Sequence, residues 1–108
     1  MIYEWRVYEI TPGKRTELHE RFATHTVSLF AKHGIRVVGF WESVVGGASN
    51  TLYYMLVFDS LAQREKAWAD FQNDPEWKTA LANSERNGPL TVRITNMILQ
   101  PTTYSPMK

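Results

Sequence analysis

Between Tyr3 and Ile10 the chain reads YEWRVYEI. With a period of two, Tyr3, Trp5 and Val7 fall on one side of a strand, and Glu4, Arg6 and Tyr8 on the other. A strand with one wet side can face water, but here both sides carry large rings and the charges come as an opposite pair. Such a strand has to be covered twice, so any fold that leaves one of its faces bare is incomplete.

The segments that follow define the rest of the sheet. TPGK after the strand predicts a helix capped by Thr11 with Pro12 in its first turn, running to His33 and stopped by Gly34. Leu18, Phe22, His25 and Leu29, with Thr26 and Phe30, make its inner stripe, and Lys14, Arg15, Glu17, Glu20, Arg21 and Lys32 fall mainly outside it. Ile35 to Val45 and Thr51 to Phe58 are rich in β-branched and aromatic residues and flank GGASN, which predicts a hairpin with a loop of about five residues. Ser60 stands three residues before Gln63, the spacing of a capping box, and Asp74 followed by Pro75 starts a further helix that Asn87, Gly88 and Pro89 stop. Leu90 to Leu99 is the last strand, and residues 101–108 read as an arm or tail.

The order strand, helix, strand, strand, helix pair, strand is that of an α+β, ferredoxin-like βαββαβ domain. Its second helix is split and its sheet is four-stranded and antiparallel. At 108 residues it is a single domain over 1–108. Crossovers of this pattern put the helices on one face of the sheet. Sorted by parity, the wetter sets are Glu4, Arg6 and Tyr8; Arg36, Val38, Phe40, Glu42 and Val44; and Arg93, Thr95, Met97 and Leu99. These are expected to form the uncovered face. Because they alternate charge with bulk, another sheet is expected against them, most economically that of a second copy in a homodimer.

Composition narrows the chemistry. Twelve basic and 11 acidic residues are interspersed for a net charge of +1, which gives no patch for nucleic acid or a membrane surface. No apolar run could span a bilayer and no secretory signal opens the chain, so a cytoplasmic protein is expected. The absence of Cys removes disulfides, thiolate metal sites and a thiol nucleophile. The three His residues, His19, His25 and His33, are spaced six and eight apart on one predicted helix. The first and last point to similar sides but lie about 21 Å apart along the axis, so no metal site is expected.

Of the three, His25 alone is on the inner stripe, either as a satisfied semi-buried imidazole or as a catalytic base or axial ligand. Arg6 with Tyr8 or Tyr54 reads either as part of a structural ion-pair network or as an anchor for an anionic or carbonyl-bearing ligand. Trp41, after Gly39, packs in the core or lines a cavity. Walls of such rings suit a flat, largely apolar molecule. Trp68 and Trp77 sit at helical spacing and read as core.

Three segments, MIYEWRVYEITPGK, GFWE and DSLAQREKAWADFQNDPEW, together resemble the NIPSNAP family of the dimeric α+β barrel superfamily. The resemblance implies the same fold and a homodimer with facing sheets, and leaves the biochemical role undefined. Superfamily analogy adds a monooxygenase-like reaction in a pocket between sheet and helices, with Tyr54, His25 or Arg6 positioning a substrate, and with haem or flavin as conceivable cofactors that the sequence does not demand. The competing reading is a non-enzymatic binding or scaffold protein acting through its dimer surface. Family members often carry HLW on the third strand, and the matching positions here are Tyr54 and Leu56.

Overall fold

The structure is a computed structural model describing residues 1–108. Its elements are β1 (Ile2–Ile10), α1 (Arg15–Arg21), a π-helical turn (Phe22–Thr26), α2 (Val27–Lys32), β2 (Arg36–Trp41), β3 (Thr51–Phe58), α3 (Leu61–Gln72), α4 (Pro75–Ser84) and β4 (Thr91–Leu99). The strands form one four-stranded sheet in the order β2-β3-β1-β4, antiparallel throughout, with β1 and β3 at its centre. This is the expected α+β ferredoxin-like arrangement.

Local chemistry explains most boundaries. The Ser60 hydroxyl accepts the Gln63 N–H at 3.1 Å while the Gln63 side chain reaches back to the Asp59 N–H, which closes the start of α3 on both sides. Asp74 caps α4 by accepting the Glu76 N–H at 2.8 Å, with Pro75 in the first helical position. The same carboxylate meets Lys32 at 2.9 Å and His33 at 2.6 Å, which ties the end of α2 to the start of α4. Lys32, then His33, hold the Asp74 carboxyl well below the usual range.

The first helix departs from expectation in two places. It starts at Arg15 rather than at Pro12. Gly13 sits at φ +83 and the Lys14 N–H bonds the Thr11 carbonyl, so TPGK is a Pro-Gly turn and the Thr11 hydroxyl is buried without a partner instead of capping a helix. The second departure is the π-helical turn. Its extra residue brings Thr26 beneath Phe22, both of them buried, and swings His25 to the exposed side. The Thr26 hydroxyl donates to the Arg21 carbonyl at 3.3 Å and closes the wide turn, and Arg21, expected outside the stripe, is only 6% exposed.

A β-bulge between Val37 and Gly39 changes the face of half of β2: Arg36 opposes Val57, but Phe40 opposes Tyr54 and Trp41 opposes Tyr53. This strand ends at Trp41, four residues earlier than expected, and Val44 and Val45 lie in the exposed connection.

The helices cover the face bearing Glu4, Arg6, Tyr8, Leu52, Tyr54, Leu56 and Phe40, most of them buried. The expectation that Glu4, Arg6 and Tyr8 face outward is therefore corrected: Glu4 is fully buried under α3 and is satisfied within one chain. Arg93, Thr95, Met97 and Leu99 lie on the opposite face, because their β1 partners are Glu9, Val7, Trp5 and Tyr3.

That open face is the aromatic one. Trp5 stacks on Tyr53 at 5.8 Å and lies 6.1 Å from Trp41, with Met55, Val57, Met97 and Leu99 beside them. The C-terminal tail turns back across one end of it, where the Tyr3 hydroxyl donates to the Lys108 carbonyl at 3.0 Å. The molecule is only 19 Å along its shortest axis, the depth of one helix layer on one sheet. Its 6735 Å² of accessible surface exceeds the roughly 6,200 Å² expected for a compact monomer of this mass. No helix is long and apolar enough to cross a membrane.

Candidate functional site: a cavity between sheet and helices

The site begins with one carboxylate. Glu4 accepts from Arg64 Nε (2.8 Å) and Nη2 (3.1 Å), Trp68 Nε1 (3.0 Å), Arg6 Nη1 (2.8 Å) and Asn96 Nδ2 (2.9 Å). Burial pushes its pKa up, but these donors, Arg64 foremost, outweigh burial and hold it at about 2. The network joins α3 to β1 and β4 and fixes the orientation of Arg6.

From Arg6 a polar chain runs along the floor. Arg6 Nε donates to the Tyr54 hydroxyl at 2.8 Å, and Tyr54 donates to the Tyr8 hydroxyl at 2.9 Å. Burial, followed by the neighbouring Tyr8, pushes the Tyr54 phenol up well past its ordinary value, so it remains a neutral relay between the cation and Tyr8. The Arg6 guanidinium also lies 4.7 Å from the Trp68 ring centroid. Registration explains the cluster: Tyr54 is the direct cross-strand partner of Arg6, and Tyr8 is two residues along the same face.

Above this floor is a cavity of about 430 Å³, within the range of small-molecule sites. Its walls are Arg6, Tyr8 and Ile94 from the sheet; Arg21, Phe22, Thr26 and Phe30 from the first helical layer; and Trp68, Phe71, Trp77 and Leu81 from the helix pair. Arg21 is held over Trp77 at 5.4 Å and donates through Nη1 to the Ser84 hydroxyl at 3.2 Å. Gln72, with Glu85, Pro89 and Thr91 from the segment leading into β4, completes the lining. The arrangement can grip a flat apolar body between rings and offer it hydrogen bonds from Arg6 and Tyr8. No histidine lines it.

Of the residues singled out from sequence, Arg6, Tyr8 and Tyr54 come together, the first two in the cavity wall and Tyr54 directly behind them. His25 and Trp41 stand apart. His25 is exposed beside a polar surface hollow shared with Glu17, Glu20 and Arg86, a consequence of the π-helical turn. Trp41 projects onto the open face because the bulge reverses the parity of β2, and it also borders a second hollow with Phe22, Phe40 and His19. Arg21, Glu4 and Arg64 were not singled out. Only the near balance of charges on the strands hinted at Glu4, and nothing in the spacing of Arg21 separated it from the solvated residues around it.

Comparison with known proteins agrees with this architecture. The NIPSNAP family profile matches residues 3–106. A human protein, NipSnap homolog 3A, is 31% identical over 78 residues, which cover 72% of this chain and 31% of that protein, so the chain spans about a third of the length of this curated relative. Among solved structures, a NIPSNAP family protein of unknown function from Agrobacterium tumefaciens superposes with a TM-score of 0.85 at 25% identity, covering 100% of this chain and 94% of that one. A protein assigned to the antibiotic biosynthesis monooxygenases, from Nitrosomonas europaea, superposes with a TM-score of 0.64 at 8% identity over 94% of this chain and 98% of that one, a likeness of fold alone. The chain belongs to the NIPSNAP family.

Proposed function

We propose that this NIPSNAP chain is a homodimeric cytoplasmic binding protein whose cavity between sheet and helices takes a small, largely apolar or aromatic molecule. The cavity itself carries the reading: about 430 Å³ walled by Phe22, Phe30, Trp68, Phe71 and Trp77, with Arg6 and Tyr8 as its polar floor. Apolar walls with a few convergent donors are the usual form of a ligand site. The open aromatic face supports the dimer, because Trp41 at 46% and Met97 at 54% exposure extend a patch that a second sheet would cover.

A monooxygenase-like reaction would use the Arg6, Tyr54 and Tyr8 chain to stabilise negative charge developing on a bound aromatic substrate. No group of the cavity forms a nucleophile–base pair, which favours binding over catalysis. The test is thermal denaturation of the purified protein with naphthalenes, quinones and haem at millimolar concentration or below. A bound compound raises the midpoint with concentration, and Ile94→Trp, which puts an indole into the cavity wall beside Tyr8, should abolish the rise. If no compound moves the midpoint, the cavity reading falls and a scaffold acting through the dimer surface takes its place.

A further inference from the structure

Arg21 is 94% buried by its 6% exposure, yet its Nε has no hydrogen-bond partner. A buried N–H left unmade is costly and rare, which points to a partner from outside the chain. Its Nη1 is used by the Ser84 hydroxyl at 3.2 Å. Glu85 stands 3.6 Å from the same nitrogen, beyond hydrogen-bond reach, while its own oxygen accepts the Leu90 N–H at 3.2 Å. The Nε and Nη2 edge of the guanidinium is therefore without a partner within the chain.

This chain shows what that edge takes. Arg64 offers the same two nitrogens to the Glu4 carboxylate at 2.8 and 3.1 Å, the two-point pairing that planar oxyanions favour. Arg6 brings a second guanidinium to the same cavity, its Nε donating to Tyr54 and its Nη1 to Glu4. Each guanidinium is held against a Trp of the helix pair, Arg6 on Trp68 and Arg21 on Trp77. Two cations prepositioned against the rings of this cavity, with Glu85 as its one lining carboxylate, favour an anionic ligand.

We infer that the ligand is a small aromatic or aliphatic carboxylic acid, its carboxylate taken by Arg21 Nε and Nη2 with help from Arg6, and its apolar body packed against Phe22, Phe30 and Phe71. The inference rests on the cavity reading above and narrows it to one ligand class.

Calorimetric titration of the full chain with benzoate, 2-naphthoate and octanoate, each paired with its primary alcohol, tests it. At least one acid should bind ten times or more tightly than its alcohol. Arg21→Gln should bring that ratio to about one, and Arg6→Lys should reduce it in part. Equal binding of acids and alcohols would overturn the carboxylate assignment and leave the cavity reading standing, as would an acid preference untouched by both substitutions. Failure of all six compounds to bind would overturn both.

Discussion

The two faces of the sheet solve opposite problems. Beneath the helices, Glu4 carries a full charge at 0% exposure and is stable there because five donors from three side chains of β1, α3 and one of β4 converge on it. On the far face no charge interrupts the centre of the sheet, yet Trp5, Tyr53, Met55 and Met97 remain partly or fully exposed. Hydrophobicity alone would assign these faces the other way round. What separates them is whether hydrogen-bond donors are within reach: a buried charge with its donors supplied is closed, whereas an aromatic surface without a covering layer is not.

The largest effect should come from opening the closed face. Glu4→Leu removes the acceptor from two arginines, an indole and an amide at once, leaving the half-buried Arg6 without a carboxylate and Arg64 with Glu65 alone. Breaking a buried pair from one side costs about 3 to 5 kcal/mol. At fixed protein concentration the thermal midpoint should fall by more than about 10 °C. Retention of the wild-type midpoint would show that the network adds no stability and that the helices alone hold this face.

Closing the open face should fail in the opposite manner. Met97, opposite Trp5 on β4, is 54% exposed in one subunit. Met97→Glu should therefore alter a lone subunit by less than about 0.5 kcal/mol, but under the proposed pairing it places an unpaired charge between sheets. Sedimentation should then show dissociation at least about a hundredfold easier, equivalent to about 3 kcal/mol. An unchanged association constant would exclude this face as the contact.

Acid provides a third comparison, graded rather than all-or-none. Because the folded Glu4 carboxyl titrates at about 2 instead of 4.5, its contribution is fully present above pH 4.5 and is lost as pH falls from there towards 2. Denaturant midpoints measured at pH 7, 4.5 and 2.5 should decline across that window, and in Glu4→Gln the decline should be shallower. Asp70 and Asp74, also held low by lysine partners, keep some slope in the variant. Parallel curves for the two proteins would mean that Glu4 does not carry the acid sensitivity.

The order of elements could be read from the chain because caps, stops and periodicity are local: Ser60 with Gln63, Asp74 with Pro75, and the strand runs all act within four residues. The misread positions depend on events that leave no periodic trace. The bulge at Val37–Gly39 reverses the side on which Phe40 and Trp41 emerge, and a parity count made from Arg36 carries straight through it. The π-helical turn does the same to a helix, sending His25 outward, and the packing of α1 against α4 buries Arg21 over Trp77. Arg6, Tyr8 and Tyr54 could be grouped in advance because two lie on one strand side and the third is a strand aromatic of ambiguous parity. Arg21 could not, since an arginine among charged neighbours looks solvated until its packing against Trp77 and Ser84 of α4 is known.

The smallest effect tests the bulge itself. A Cβ at Gly39 would come within 2.8 Å of the Trp41 ring, far inside normal contact, while its backbone needs no left-handed conformation. Gly39→Ala must therefore push the indole off the strand rather than strain the chain. Trp41 is 46% exposed and at the sheet edge, so the ring has room to move, and overpacking should cost about 1 kcal/mol, at the low end for such changes. What should change is the stack: Trp41 leaves Trp5, and tryptophan fluorescence shifts with little change in the unfolding midpoint. Because Trp41 lies at the border of the open face, the same substitution should weaken association slightly and leave ligand binding in the cavity untouched, since the two sites are on opposite sides of one sheet. A loss of ligand affinity in Gly39→Ala would show that the two faces are coupled through β2, where the register shift between them occurs.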